Sequence, residues 1–186
     1  MILEFNDYLN DVKRTECHDL YFDGDRNLEI ALFHGVLGFI SEVGEVQSEL
    51  AIDTIKSVEL RLELGDVFFY LGILINQARF GKTSVEFDLP KQEISSVVDL
   101  ELVQGIINQL YFQASEMCDI LKKSLFQGIP LDYENFFRRT KIALNYMCYL
   151  CGFLGIQPES IMAENIAKRV IRYPNGFSIK GTVKKN

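Results

Sequence analysis

Apolar residues recur at steps of three and four along most of the chain, which is the spacing of one face of an α-helix. The pattern predicts a short amphipathic helix near the N-terminus, followed by longer helices over about residues 27–51, 57–80, 100–125, 133–154 and 159–172. Residues 81–97 are the one place where a short extended segment is expected, because Val85, Phe87 and Leu89 alternate with polar residues there. The sequence therefore predicts an all-α, antiparallel bundle of about six helices.

The composition is that of an ordinary globular chain with an acidic balance. Among 186 residues, 48% are hydrophobic, and 19 Lys+Arg stand against 26 Asp+Glu, for a net charge of −7. We expect a single domain over residues 1–186. An acidic chain repels the phosphates of a nucleic acid polymer, so no polymeric nucleic acid partner is expected. No apolar run reaches the roughly 20 residues of a membrane span, so no membrane association is expected either.

The cysteines and the N-terminus favour a cytoplasmic location. Cys17, Cys118, Cys148 and Cys151 match neither a disulfide framework nor a zinc module. Cys148 and Cys151 lie in an apolar helical run, which favours core packing over redox chemistry. No basic region precedes an apolar segment at the N-terminus, so we expect no signal peptide.

Two of the predicted helices each carry a pair of carboxylates at helical spacing. The first pair is Glu42 and Glu45. The second pair is Glu63 and Asp66, and in each case a step of three residues places both acids on one face. Apolar neighbours such as Val43 indicate that these acids enter the edge of the core, where ionised carboxylates are costly unless a cation balances them. All-oxygen ligation favours Mg²⁺ or Mn²⁺. Ordinary solvated helix faces are the alternative.

Four phrases of the sequence, taken in order, resemble those of a known family. They occupy residues 5–8, 37–46, 63–71 and 165–177. Together with the spacing Glu-x-x-Glu, seventeen residues, Glu-x-x-Asp, they are similar to the signature of MazG-like all-α nucleoside triphosphate pyrophosphohydrolases. The resemblance covers about residues 1–80 and 147–178 and leaves an inserted helical segment at about 82–146.

The resemblance implies Mg²⁺-dependent hydrolysis of a nucleoside triphosphate between the α and β phosphates, giving a nucleoside monophosphate and pyrophosphate. Four acids match the family's metal-binding positions: Glu42, Glu45, Glu63 and Asp66. Glu42 or Glu45 is the expected catalytic base, with the choice between them open. Ser41 stands where many members have a further glutamate, which leaves the number of metal ions open.

The last phrase implies the nucleotide-binding half of the site. Three polar residues in it share one side of a helix: Asn165, Lys168 and Arg172. The two basic residues would help to balance the charge of a triphosphate. A structural alternative is that Lys168 and Arg172 interact favourably with the helix C-terminus. Tyr173 is expected either to stack on the nucleotide or to pack.

The inserted segment can be interpreted as an internal copy of the first helical pair. In this interpretation residues 115–120 are similar to residues 41–46, and residues 145–150 are similar to residues 66–71. Ile142 and Asn145 would then replace Glu63 and Asp66, so the copy would have lost its metal site. This hypothesis predicts a pseudo-duplicated pair of helical hairpins with one active site, and it suggests that Glu116 and Asp119 line the nucleotide pocket.

Other functions stay open at this point. The scaffold also resembles dimeric dUTPases and phosphoribosyl-ATP pyrophosphohydrolases, so the base and sugar of the substrate are undecided. A non-catalytic helical module that binds a nucleotide or a metal is a further alternative. The family resemblance favours a homo-oligomer, with a dimer preferred.

Overall fold

The computed structural model describes residues 3–16, 27–51, 57–78, 83–91 and 93–177. Within these ranges the chain forms six α-helices and no β-strand: α1 (Phe5–Thr15), α2 (Asn27–Ala51), α3 (Val58–Ala78), α4 (Leu100–Gln127), α5 (Tyr133–Phe153) and α6 (Pro158–Arg172). The predicted all-α class is confirmed, and the bounds of the five longer helices agree with the prediction to within two residues, except that the predicted end of α3 at residue 80 lies outside the described residues. None of the described helices combines the length and the apolar character that a membrane span requires.

Local sequence explains where the last three helices begin and where α4 ends. The side chain of Asp99 accepts hydrogen bonds from two backbone N–H groups in the first turn of α4, and Asp132 accepts one in the first turn of α5. Pro158 occupies the first turn of α6, where its missing N–H is not needed. The helix α4 ends at Gln127 and is capped by Gly128, whose φ of 70° lies in the left-handed region that glycine adopts without strain.

The helices pack as two consecutive pairs with two further helices on one side. The helix α2 packs against α3, and α4 packs against α5; α2 also contacts α4, and α3 contacts α5. The helices α1 and α6 both pack on α3 and on each other. This bundle is the arrangement that a pair of helical hairpins requires, while duplication of the first hairpin stays a hypothesis.

A close approach between α3 and α6 depends on Gly65. A Cβ atom at this position would lie 3.0 Å from the Cβ atom of Asn165, closer than most real contacts of this kind. Gly65 therefore lets α6 lie directly against the turn of α3 that carries Glu63 and Asp66. This contact positions the last helix beside the predicted acidic site.

The segment between α3 and α4 contains no strand among residues 83–91 and 93–97. The alternating pattern nevertheless has a structural cause, because Val85, Phe87 and Leu89 are half-buried against the core. Glu86 and Asp88 between them are exposed. The alternation thus reflects burial on one side of an irregular segment, and the expected short extended element forms no β pairing among these residues.

Candidate metal and nucleotide site

Three of the four predicted acids come together between α2 and α3. Glu42 and Glu45 of α2 and Glu63 of α3 each offer a carboxylate oxygen, and these oxygens lie within 4.8 Å of one another. Glu45 is exposed, whereas Glu42 and Glu63 are half-buried. Among the described residues this is the one group of three acidic, histidine or cysteine side chains with ligand atoms so close together.

The acids of this cluster oppose one another's ionisation at Glu42. Burial raises the pKa of Glu42 from 4.5 to about 7, and the negative charges of Asp66, Glu45 and Glu63 add to the effect. The positive charge of Lys168 lowers the pKa of Glu42 but does not cancel the rise. A group of three carboxylate oxygens close together is a donor set that Mg²⁺ or Mn²⁺ prefers. The residues present therefore fit a divalent cation of this kind.

Asp66 is the fourth predicted acid, and it is engaged by α6 instead of joining the three-oxygen group. Its Oδ1 atom accepts a hydrogen bond of 2.9 Å from Nδ2 of Asn165. Its Oδ2 atom forms an ion pair with Nζ of Lys168. Asp66 is still close enough for its charge to contribute more to the raised pKa of Glu42 than any other single charge. It lies beside the cluster, with both oxygens already bonded.

Asn165 was predicted to bind nucleotide, but the structure places it in the interior. Only 2% of its surface is exposed, and it is not among the residues that line the neighbouring cavity. Its Oδ1 atom accepts hydrogen bonds from the hydroxyl of Tyr8 at 3.1 Å and from Nε of Arg169 at 2.8 Å. With Nδ2 directed to Asp66, both ends of the amide are committed to protein groups.

Sequence reasoning missed Arg169, which is 4% exposed and lines the cavity. Its guanidinium donates to Oγ1 of Thr15 at 2.6 Å and lies 3.0 Å from Oδ2 of Asp11. It also lies over two aromatic rings, with 5.5 Å to the ring centre of Tyr8 and 4.8 Å to that of Phe69. Burial lowers its pKa, and these contacts offset the cost of burying the charge. Arg169 belongs to the segment 165–177 that resembles the family, which was a signal for it. Its partners Thr15 and Asp11 on α1, however, are more than 150 residues away in the chain, so no local pattern relates them to it.

A cavity of about 330 Å³ adjoins the cluster and combines acidic, basic and aromatic side chains. Its charged lining comprises Glu42, Asp66, Lys168, Arg169 and Arg172. Its remaining lining comprises Thr15, His34, Phe69, Tyr70, Tyr173 and Phe177. Of the predicted site residues, Glu42, Asp66, Lys168, Arg172 and Tyr173 therefore share this cavity. The cavity lining does not include Glu45, Glu63 or Asn165. Each of them lies beside a lining residue: the two glutamates beside Glu42, and Asn165 beside Asp66.

The aromatic wall of the cavity is anchored to the helices around it. Tyr173 is 9% exposed, and its backbone carbonyl accepts a hydrogen bond of 2.9 Å from Nη1 of Arg14. The guanidinium of Arg172 lies 5.4 Å from the centre of the Tyr173 ring. The ring of Phe177 is 5.6 Å from that of Tyr173, after a turn in which Gly176 has a φ of 89°. Both possibilities predicted for Tyr173 remain compatible with this placement, because the ring packs and also lines the cavity.

His34 and Tyr70 form another part of the wall that sequence reasoning did not select as a binding surface. Their rings meet edge to face with centres 5.7 Å apart. Burial lowers the pKa of His34, so this imidazole is neutral at neutral pH. The signal for Tyr70 was its position one helical turn after Asp66, within the segment 63–71, and the signal for His34 was its position about two turns before Glu42.

The acids of the second hairpin are engaged elsewhere. Glu116 forms an ion pair of 2.8 Å with Arg139. Asp119 forms ion pairs with Lys122 at 2.6 Å and with Lys123 at 2.5 Å. Neither acid lines the cavity beside the three glutamates, so the expectation that they face the nucleotide pocket is not met. Basic side chains of the same helix pair thus balance the acids of the second hairpin.

Comparison of the chain with models of protein families, with curated proteins and with solved structures finds no match. The MazG-like resemblance therefore stays a prediction from the quoted phrases. The function has to be argued from the geometry and chemistry of the site.

Proposed function

We propose that this protein is a Mg²⁺-dependent nucleoside triphosphate pyrophosphohydrolase of MazG-like type, which releases pyrophosphate and a nucleoside monophosphate. The observation that carries the proposal is a single cavity of about 330 Å³ with carboxylates, basic groups and aromatic rings around it. These three classes of side chain suit the cation, the phosphates and the base of one nucleotide. A solvated acidic helix face would not bring them together.

The residues that would hold the cation are Glu42, Glu45 and Glu63, with Asp66 beside them. Bound Mg²⁺ supplies charge neutralisation for the phosphates and lowers the pKa of water. The contribution of the chain is to hold three carboxylate oxygens within 4.8 Å of one another before the ion arrives. No histidine or cysteine belongs to this group, which favours Mg²⁺ or Mn²⁺ over zinc.

Basic side chains on α6 support binding of the triphosphate. Lys168 and Arg172 lie one turn apart and both line the cavity. Lys168 already pairs with the carboxylate of Asp66, so its ammonium group is directed towards the acidic side of the cavity. A phosphate oxygen entering there would meet a cation that the half-buried surroundings shield from full hydration. Arg172 offers a planar group with several donors beside it.

Aromatic side chains support binding of the base. Phe69, Tyr70, Tyr173 and Phe177 line the cavity. Ring faces of this kind stack on nucleobases with little regard to which base is present. The lining therefore favours a nucleotide over inorganic triphosphate, while the identity of the base stays open.

Glu42 is the best-supported catalytic base of the two candidates. It lines the cavity, whereas Glu45 is exposed and outside the lining. In the metal-free protein, burial and the neighbouring acids raise the pKa of Glu42 to about 7; a bound cation would lower it again, so it is the position of Glu42 in the cavity lining that supports the assignment. In the proposed reaction the oxygen of a water molecule bonds to phosphorus and the α–β anhydride bond breaks. The proton of that water passes to Glu42.

The test is pyrophosphate release from a panel of ordinary and modified nucleoside triphosphates, with Mg²⁺ and with a chelator. We expect Mg²⁺-dependent release from at least one of them. Glu63→Gln should reduce the rate by at least about 100-fold, since it removes one carboxylate from the cation cluster. Glu86→Gln is the matched control, because Glu86 is an exposed glutamate outside the cavity. Nucleotide binding without release by the wild-type protein would favour the non-catalytic module instead.

A further inference from the structure

A buried chain of hydrogen bonds links α1, α6 and α3 through the side chain of Asn165. Tyr8 donates to Asn165, and Asn165 donates to Asp66. We propose that Asn165 is a positioning residue, which holds the carboxylate of Asp66 beside the three glutamates while Tyr8 and Arg169 fix the orientation of its amide. The role in catalysis rests on the proposed function, but the effect on metal binding can be measured without turnover.

The orientation of the Asn165 amide follows from its neighbours. Its Oδ1 atom faces the hydroxyl of Tyr8 at 3.1 Å and Nε of Arg169 at 2.8 Å. The arginine Nε can only donate. Reversing the amide would turn its N–H groups towards these donors and its carbonyl oxygen towards the Asp66 carboxylate. That arrangement loses hydrogen bonds at both ends, so the side chain is held with Nδ2 towards Asp66.

The groups that hold the amide cannot easily move away. Tyr8 is fully buried, and burial raises the pKa of its hydroxyl, which therefore stays protonated as a donor. Arg169 is held by Thr15 and Asp11 of α1 and by two ring faces. Residues of α1 thus hold Asn165 and Arg169 in place, and Asn165 in turn holds Asp66 of α3.

The two contacts of Asp66 differ in how easily a ligand could replace them. Lys168 is half-buried and lines the cavity, so an entering phosphate can compete with Asp66 for its ammonium group. Asn165 is 2% exposed and outside the cavity lining, so a nucleotide does not reach it. An entering cation can likewise displace Lys168 from Oδ2 of Asp66, while Asn165 still holds Oδ1. Asn165 therefore acts through Asp66 and not on the nucleotide itself.

The experiment measures binding of Mn²⁺ to the nucleotide-free full-length chain by isothermal titration calorimetry. Asn165→Ala is expected to weaken Mn²⁺ binding by about 10-fold or more, the usual effect of losing a group that orients a metal ligand. In an Asp66→Ala background the same substitution should have no further effect, because the ligand it orients is absent. Chelator-treated wild-type and Asn165→Ala proteins should bind a non-hydrolysable nucleoside triphosphate analogue equally.

Two further variants separate positioning from folding. Asn76→Ala removes another buried asparagine, whose Nδ2 donates to the backbone of Leu9 at 2.8 Å, and it should lower stability without changing Mn²⁺ affinity. Tyr8→Phe retains the ring and is expected to weaken Mn²⁺ binding by up to about fivefold, the equivalent of one hydrogen bond. It provides the test if Asn165→Ala does not fold.

The possible results distinguish this inference from the proposed function. Unchanged Mn²⁺ affinity in Asn165→Ala and Tyr8→Phe overturns the positioning role while leaving the metal site intact. A loss that persists in the Asp66→Ala background also overturns it. If the wild-type protein binds no Mn²⁺, the proposed metal site fails and the positioning role fails with it.

Discussion

Replacing Glu42 with glutamine should stabilise the metal-free protein at about pH 8 and weaken its response to Mg²⁺. The amide has nearly the same shape as the carboxylate but carries no charge. In the wild-type protein, burial and the charges of Asp66, Glu45 and Glu63 oppose ionisation of Glu42. The substitution removes that opposition together with one ligand for the cation. Glu42→Gln should therefore raise the stability of the metal-free protein and reduce the further stabilisation that Mg²⁺ provides.

The size of the effect follows from the pKa of Glu42, which rises from 4.5 to about 7. Each unit of pKa difference corresponds to about 1.4 kcal/mol, for an upper limit of about 3 kcal/mol. Solvent screening of this partly exposed group reduces the expected value to about 1–2 kcal/mol. Because the folded state binds the proton more tightly, protonated Glu42 stabilises the wild-type protein fully below pH 4.5, and this contribution is lost as the pH rises through about 7. The advantage of the glutamine variant therefore grows over the same pH range.

Urea unfolding in the presence of a chelator measures the difference directly. At about pH 8 the free energy of unfolding of Glu42→Gln should exceed that of the wild type by about 1–2 kcal/mol, and at about pH 5 the excess should shrink to about half of that value. Saturating Mg²⁺ should stabilise the wild type more than the variant. Glu116→Gln is the control, because its partner Arg139 already balances the charge. A lower stability of Glu42→Gln in chelator at about pH 8 would refute the reasoning.

Packing and thiol burial give two further predictions. Gly65→Ala should lower the free energy of unfolding by about 1–3 kcal/mol, because its Cβ atom would lie 3.0 Å from that of Asn165. Gly105→Ala, with no neighbour within 4 Å, should raise it by about 0.5–1 kcal/mol in the same urea experiment; equal effects would contradict the close approach of α6 to α3. Cys148 and Cys151 are fully buried, and burial raises the pKa of Cys151 to about 12, so neither should react with iodoacetamide in the native protein at neutral pH. Peptide mass spectrometry checks this, and rapid labelling of either thiol would contradict it.

The helices could be predicted from sequence because their apolar spacing extends over their whole length. The end of α4 was placed two residues early, since Phe126 is exposed and the apolar period has ended before Gly128 forms the cap. The alternation of Val85, Phe87 and Leu89 suggested an extended segment, but one-sided burial produces the same pattern without a partner strand. Periodicity records which side of a segment is buried and does not record what it pairs with.

The candidate site was predictable where it depends on neighbouring helices. Glu42, Glu45 and Glu63 meet because α2 and α3 are consecutive and packed together. The engagement of Asp66 by α6 depends instead on Asn165, whose partner Tyr8 is 157 residues away in the chain. The family resemblance indicated a face of α6 on which Lys168 and Arg172 line the cavity, but it could not show that Asn165 on the same face is buried. That depends on how α1, α3 and α6 pack, which no local pattern contains.

The most direct test of the central claim is ³¹P nuclear magnetic resonance of a nucleoside triphosphate incubated with the protein and Mg²⁺. For a nucleotide that the panel assay identifies as a substrate, we predict that monophosphate and pyrophosphate appear in equal amounts. Glu63→Gln should show neither product, because the three-glutamate cluster is broken. Formation of nucleoside diphosphate and inorganic phosphate, or turnover that survives Glu63→Gln, would contradict cleavage of the α–β bond at this site.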